Sequence, residues 1–64
     1  MRGLGPRERQ ALELAAKGLG NREMSETMGI SQQSVKNLLT IAYRKLGVRN
    51  RIQALMKVGL VKND

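Results

Sequence analysis

Neither cysteine nor histidine occurs among the 64 residues, phenylalanine and tryptophan are missing too, and tyrosine appears once. Each absence closes a route. Without cysteine no disulfide forms, and without cysteine or histidine zinc has none of its usual ligands. Catalysis loses every Ser-His, Cys-His and His-metal arrangement, along with the commonest general base near neutral pH. Acidic residues are scarce: Glu8, Glu13, Glu23, Glu26 and Asp64 are the whole supply, and four of them fall on segments that read as helix surface. These points argue against an enzyme, and no cofactor or metal is called for. The near-absence of aromatics leaves little to stack on unpaired bases, which disfavours RNA as a partner. No apolar run approaches the ~20 residues that span a bilayer. Residues 1–6 carry a charge but lack the apolar segment of a secretory signal. No membrane partner is expected, and a cytoplasmic location suits the lack of cysteine.

What remains is one small domain, residues 1–64, with a thin core. A chain of this length buries only about 60% of its unfolded surface. Small domains of that kind often rely on disulfides, a metal or oligomerisation, and here oligomerisation is the route left open.

Twelve Lys/Arg against five Asp/Glu give a formal charge of +7, and it is unevenly placed. Residues 1–29 hold five basic and four acidic side chains, a net of +1; residues 30–64 hold seven and one, a net of +6. A basic half of this kind suits a polyanion such as nucleic acid, although a merely solvated surface would show the same bias.

The apolar spacing predicts an all-α protein of four helices, at about 6–18, 21–28, 31–46 and 50–58. Pro6 suits a first helical turn; Ala11, Leu12, Leu14, Ala15 and Leu19 recur at helical spacing, and Gly18 and Gly20 stop that helix. Asn21 is a plausible cap for the second helix, whose Met24 and Met28 share a face and read as core. Ser31 caps the third, where Val35, Leu38, Leu39, Ala42 and Leu46 form the apolar face. Gly47 ends it, with Val48 placed for an apolar contact. Asn50 caps the fourth helix and Gly59 closes it. That helix shows two apolar rows: Ile52, Leu55 and Met56 on one side, Ala54 and Val58 on another. A second row suggests a further partner such as another copy of the chain, unless both rows are needed by the core.

Helices two and three meet at Met28-Gly29-Ile30-Ser31. Two helices joined by a short turn with glycine, the second opened by a serine cap, form a helix-turn-helix. Ser25 is small where the helices approach, and Met24, Met28, Ile30, Val35 and Leu38 are apolar where they face inward. The third helix then serves as recognition helix. A recognition helix offers its first turns to base edges in the major groove. Gln33, Lys36, Asn37 and Thr40, continued by Arg44, fall in one polar stripe without a single acid. Gln and Asn suit adenine, Lys suits guanine acceptors, and a Thr methyl suits thymine. We therefore assign Gln33, Lys36, Asn37 and Thr40 to base contacts. Arg22, Ser31, Gln32, Ser34, Arg44, Lys45, Arg49 and Arg51 are assigned to the DNA backbone, where contacts fix register and affinity. For Lys45 or Lys57 taken alone, a solvated helix surface is the better reading.

Taken together, Leu4-Gly-Pro-Arg-Glu-Arg, Leu12-Glu-Leu-Ala-Ala-Lys-Gly, Asn21-Arg-Glu-Met, Gly29-Ile-Ser, Ser34-Val-Lys-Asn, Tyr43-Arg-Lys-Leu-Gly-Val and Arg49-Asn-Arg with Ala54 resemble the LuxR-type (GerE-like) DNA-binding domain. The resemblance runs over about residues 4–61. It implies a four-helix bundle that binds operator DNA as a homodimer, with the third helix in the major groove and the fourth forming most of the dimer contact. On that reading Ile52, Ala54, Leu55, Met56 and Val58 make the dimer interface. Lys36, Asn37 and Thr40 match the family's base- and backbone-contacting positions. The sequence also departs from the family. Gly5 and Gly20 stand where Ser or Thr caps are usual, a loss of only about a few tenths of a kcal/mol each. Leu38 replaces a common His, Ala42 a larger aliphatic, and Ile41 a residue that is usually polar. Members usually carry a sensor or phosphoacceptor domain ahead of this module, so the chain reads as a standalone member or an excised domain.

The expected function is therefore sequence-specific transcriptional regulation on double-stranded DNA with two half-sites, with no small-molecule ligand in this domain. The alternative is an antagonist or co-regulator that uses the same fold to bind another regulator or RNA polymerase.

Overall fold

The computed structural model describes residues 3–59, so Arg2, Lys62 and Asp64, counted in the net charge, and Val61, at the end of the resemblance, lie outside them. Within them four helices follow in order: α1 (Pro6–Ala16), α2 (Asn21–Met28), α3 (Gln32–Leu46) and α4 (Arg51–Lys57). No strand occurs among the described residues, and the protein is all-α as its apolar spacing predicts.

One stop signal, a glycine followed by an apolar residue, ends the first three helices. Gly18, Gly29 and Gly47 hold positive φ of 90°, 69° and 71°, a region that side chains with a Cβ enter only at a cost. The next residue then donates its N–H five positions back: Leu19 to the Leu14 carbonyl (3.3 Å), Ile30 to Ser25 (3.0 Å) and Val48 to Tyr43 (3.0 Å). This satisfies carbonyls that would otherwise be orphaned at a helix end. Leu19, Ile30 and Val48 in turn rest on the core, so each stop also fixes where the chain goes next. The same device shortens α1. It ends at Ala16, with Lys17 as cap, two residues before the expected Gly18, because the left-handed Gly18 already belongs to the turn.

Helix starts follow two patterns. Ser31 and Asn50 cap α3 and α4 as expected, accepting from the N–H groups of Ser34 (3.0 Å) and Gln53 (2.9 Å). For α2 the expected cap, Asn21, is instead the first helical residue, and Gly20 is the cap. Register here is set by Glu23, whose Oε1 reaches back to the Gly20 N–H at 3.1 Å. Glu8 does the same for Gly5 at 3.0 Å. Each glutamate thus supplies its half of a capping box although the cap residue has no side chain. Asn21, displaced from the cap, keeps a buried Oδ1 without a partner among the described residues.

The core draws on all four helices: Ala11, Leu12 and Ala15 from α1, Met24 from α2, Val35, Leu39 and Ala42 from α3, and Ala54 and Leu55 from α4. Leu12, Met24 and Val35 are its largest fully buried side chains. Met28, Ile30, Leu38, Tyr43 and Leu46 pack around it, half-buried. Helices α1 and α3 each touch every other helix, whereas α2 and α4 do not meet. α3 is therefore held from behind by α1 and flanked by α2 and α4, which leaves one face of it to solvent.

A polar tie joins α1 to α3. The Lys45 ammonium lies 2.9 Å from Glu8 Oε1, the oxygen that also accepts from Gly5. The Gly5 hydrogen bond first, and then Lys45, hold the Glu8 carboxyl below its ordinary pKa of 4.5. A depressed carboxylate pKa stabilises the folded state fully above the unfolded value and loses that contribution as pH falls through the folded value. Stability measured by denaturant titration should therefore decline as pH drops below about 4.5. Glu8→Gln should remove part of that slope; an identical slope in the variant would show that Glu8 is not its source.

Candidate nucleic-acid interface

The Gly29-Ile30-Ser31 turn sets α3 against α2. Ser25 is buried at their junction, and its hydroxyl donates to the Arg22 carbonyl at 2.6 Å. A larger or unsatisfied polar side chain there would push the helices apart or strand a polar group. With the apolar side of α3 committed to the core, Gln33, Lys36, Asn37 and Thr40 are all exposed on the other side, together with Arg44. Side chains three and four apart are neighbours on a helix, so these five make a continuous row. Gln33 Nε2 donates to Asn37 Oδ1 at 3.1 Å. The bond orients the Asn37 amide, leaving its two N–H donors and one lone pair of Oδ1 for an outside group.

Electrostatics separate this row from the rest of the surface. The four glutamates sit on α1 and α2. Glu8 and Glu23 are taken up by helix starts, and Glu13 lies 3.6 Å from Arg9 in an i,i+4 pair. None makes an ion pair or hydrogen bond with the exposed row. Lys36, Arg44, Arg22 and Arg49 make no ion pair among the described residues, so their charge is available to an outside polyanion.

The residues assigned to the DNA backbone divide. Arg22, Gln32, Arg44 and Arg49 are exposed. Ser31 is exposed, but its hydroxyl is engaged, accepting from the Ser34 N–H and donating to the Ser34 hydroxyl at 2.9 Å; Ser34 itself is half-buried. Two of these cations also make a contact within the fold. Lys45 stands nine residues after Lys36, about two and a half helical turns away, and so on the far side of α3, where Glu8 holds it. Arg51 is half-buried, and its Nη1 donates to the Leu19 carbonyl at 3.3 Å, tying the start of α4 to the loop ahead of α2. Both cations hold helices together. Neither tie is visible in local patterning, because its partners lie 37 and 32 residues apart.

α4 also departs from expectation. Ala54 and Leu55 are 0% and 5% exposed, and Val58 leans on the core beside them. Ile52 and Met56, by contrast, are 68% and 40% exposed and one turn apart. The inward row is thus Ala54, Leu55 and Val58, and the free row is Ile52 and Met56.

Among the described residues no helix is long and apolar enough to cross a membrane. Comparison with known proteins agrees with the geometry. The family model described as bacterial regulatory proteins, luxR family, matches residues 2–58. The chain is 43% identical over 54 residues, 84% of its length, to a Streptomyces halstedii protein named "Probable HTH-type transcriptional regulator GfsR", covering 22% of that protein. It is 39% identical over 49 residues, 77% of its length, to "Probable transcriptional regulator ycf29" of Guillardia theta, covering 24% of it. It is 35% identical over 51 residues, 80% of its length, to "Transcriptional regulatory protein DesR" of Bacillus subtilis, covering 26% of it. The chain thus spans about a quarter of the length of these relatives, whose names are those of regulators and not of enzymes. No solved structure matches the chain.

Proposed function

The chain belongs to the luxR family of bacterial regulatory proteins, and from that premise we propose that residues 1–64 act as one helix-turn-helix unit that reads double-stranded DNA in the cytoplasm. The observation that carries this reading is the acid-free row on α3, exposed and without an ion pair among the described residues while every described glutamate lies elsewhere. α3 enters the major groove, which is wide enough for one helix. Gln33, Lys36, Asn37 and Thr40 meet base edges; Arg22, Gln32, Arg44 and Arg49 meet phosphates. Ser31 keeps a lesser share through its backbone N–H at the start of α3, and Ser34 through its hydroxyl, which accepts from Ser31 and still has its own hydrogen to donate.

Selection from a random-sequence duplex pool at near-physiological salt tests the proposal. Enrichment of a sequence with two related half-sites supports it. Failure to enrich any sequence, with stable capture of another regulator or polymerase, would support the interaction-protein alternative instead.

Two half-sites call for two copies, and the free row of α4 supports a homodimer through Ile52 and Met56. Ile52→Glu should abolish dimers in sedimentation and cost on the order of 100-fold in affinity for a two-half-site duplex, because linked binding is lost. Binding to a single half-site should change little. Equal losses on both duplexes would place Ile52 outside the dimer contact.

A further inference from the structure

Beside the polar row of α3 stands Ile41, an isoleucine 39% exposed at the edge of a surface otherwise made of amides, a hydroxyl and cations. An apolar side chain left 39% exposed next to charged groups still has apolar surface that contact with a partner would bury. Its place on the helix is specific. Ile41 follows Asn37 by four residues and precedes Arg44 by three, so it adjoins both. Side chains on a helix lean toward its N-terminus and cover the preceding turn. The Ile41 side chain therefore lies beside the Asn37 amide, toward the end of α3 that leads into the groove.

We propose that Ile41 is a specificity residue that reads the C5-methyl group of a thymine. This deepens the DNA-reading role of α3 and rests on it. Asn37 retains two donors and one lone pair, the set that pairs with adenine N7 and N6. Every A·T pair sets a thymine methyl in the same groove, and an apolar side chain is the group that recognises it. The amide fixes one A·T pair; Ile41, reading a thymine methyl beside it, extends the demand to the neighbouring step. Ile52 and Met56, the other large exposed apolar side chains among the described residues, lie on α4 and not on α3, so Ile41 stands on a different helix from the proposed dimer surface.

The test uses the duplex that the 64-residue chain itself enriches from a random pool. Each thymidine is replaced in turn by deoxyuridine, which pairs alike but lacks the methyl. One position per half-site should weaken binding about fourfold, the worth of one buried methyl-sized group. Ile41→Ala, at an exposed site with a better helix former, should fold normally and bind the thymidine and deoxyuridine duplexes equally at that position. The proposal is overturned if no position responds to the methyl, or if the response survives Ile41→Ala and disappears in Thr40→Ser, whose lost methyl is the competing one. A pool that yields no sequence overturns the DNA-reading role itself, and Ile41 with it; a clear sequence without a methyl response overturns Ile41 alone.

Discussion

Leu12→Ala should lower the melting temperature by about 8 °C or more, taking roughly 4–8 °C for each kcal/mol in a domain of this size. Leu12 is fully buried at the centre of α1, where it backs the helix that carries the candidate site. Truncating such a leucine costs about 2–5 kcal/mol, from lost burial and from the cavity left behind. At about 0.05–0.15 kcal/mol per residue, a chain of 64 residues has only about 3–10 kcal/mol in total. One core leucine is therefore a large share of its stability, and without cysteine no disulfide is there to compensate. DNA binding should fall with the folded fraction. Gln10→Ala, at an exposed position of α1, should move the melting temperature by no more than a few degrees. Calorimetry or thermal circular dichroism on the two variants checks the contrast; similar small shifts would mean that α1 does not anchor the core.

Asn37→Ala should relax base preference at one position of each half-site, costing about 1–3 kcal/mol there. Across two half-sites the losses add to about 2–6 kcal/mol on the preferred sequence. Binding to unrelated duplexes should hardly change, since phosphate contacts supply most of it. Arg49→Ala should do the opposite. Its exposed side chain makes no ion pair among the described residues, so its loss should weaken all sequences alike and reduce the salt slope by about one phosphate contact per half-site. Binding isotherms on preferred and scrambled duplexes at several salt concentrations separate the two. A uniform loss from both variants would contradict the division between base-reading and phosphate-holding residues.

The parts of this molecule that were legible in sequence are those written in local spacing. Val35, Leu39 and Ala42 fall on one side of α3 because apolar residues three and four apart face the same way. The same arithmetic put Gln33, Lys36, Asn37 and Thr40 on the other side. Gly29 and Gly47 mark helix ends wherever they fall, through their left-handed backbone. The misreadings had other causes. Asn21 has the side chain of a cap, but Glu23 three residues after Gly20 sets the register; the same spacing in Gly5 and Glu8 was readable, though a cap without a side chain hides it. On α4 seven residues fit two apolar rows, and the choice of Ala54 and Leu55 depends on how α4 lies across α1 and α3. The Lys45–Glu8 and Arg51–Leu19 ties likewise depend on tertiary contact. Local pattern thus located the exposed row, and the tertiary fold decided which cations remain free to serve it.

The central claim is that this row of α3 is the surface that meets DNA. Titrating the isotopically labelled chain with its selected duplex, and following backbone and side-chain amide signals by NMR, tests it most directly. The account predicts the largest perturbations at Gln33, Lys36, Asn37, Thr40 and Arg44, including the side-chain amide of Asn37, with lesser ones at Arg22 and Arg49 and little change over Glu13 and Ala16 of α1. Perturbations centred on Ile52 and Met56 or on α1, with the α3 row unmoved, would contradict it.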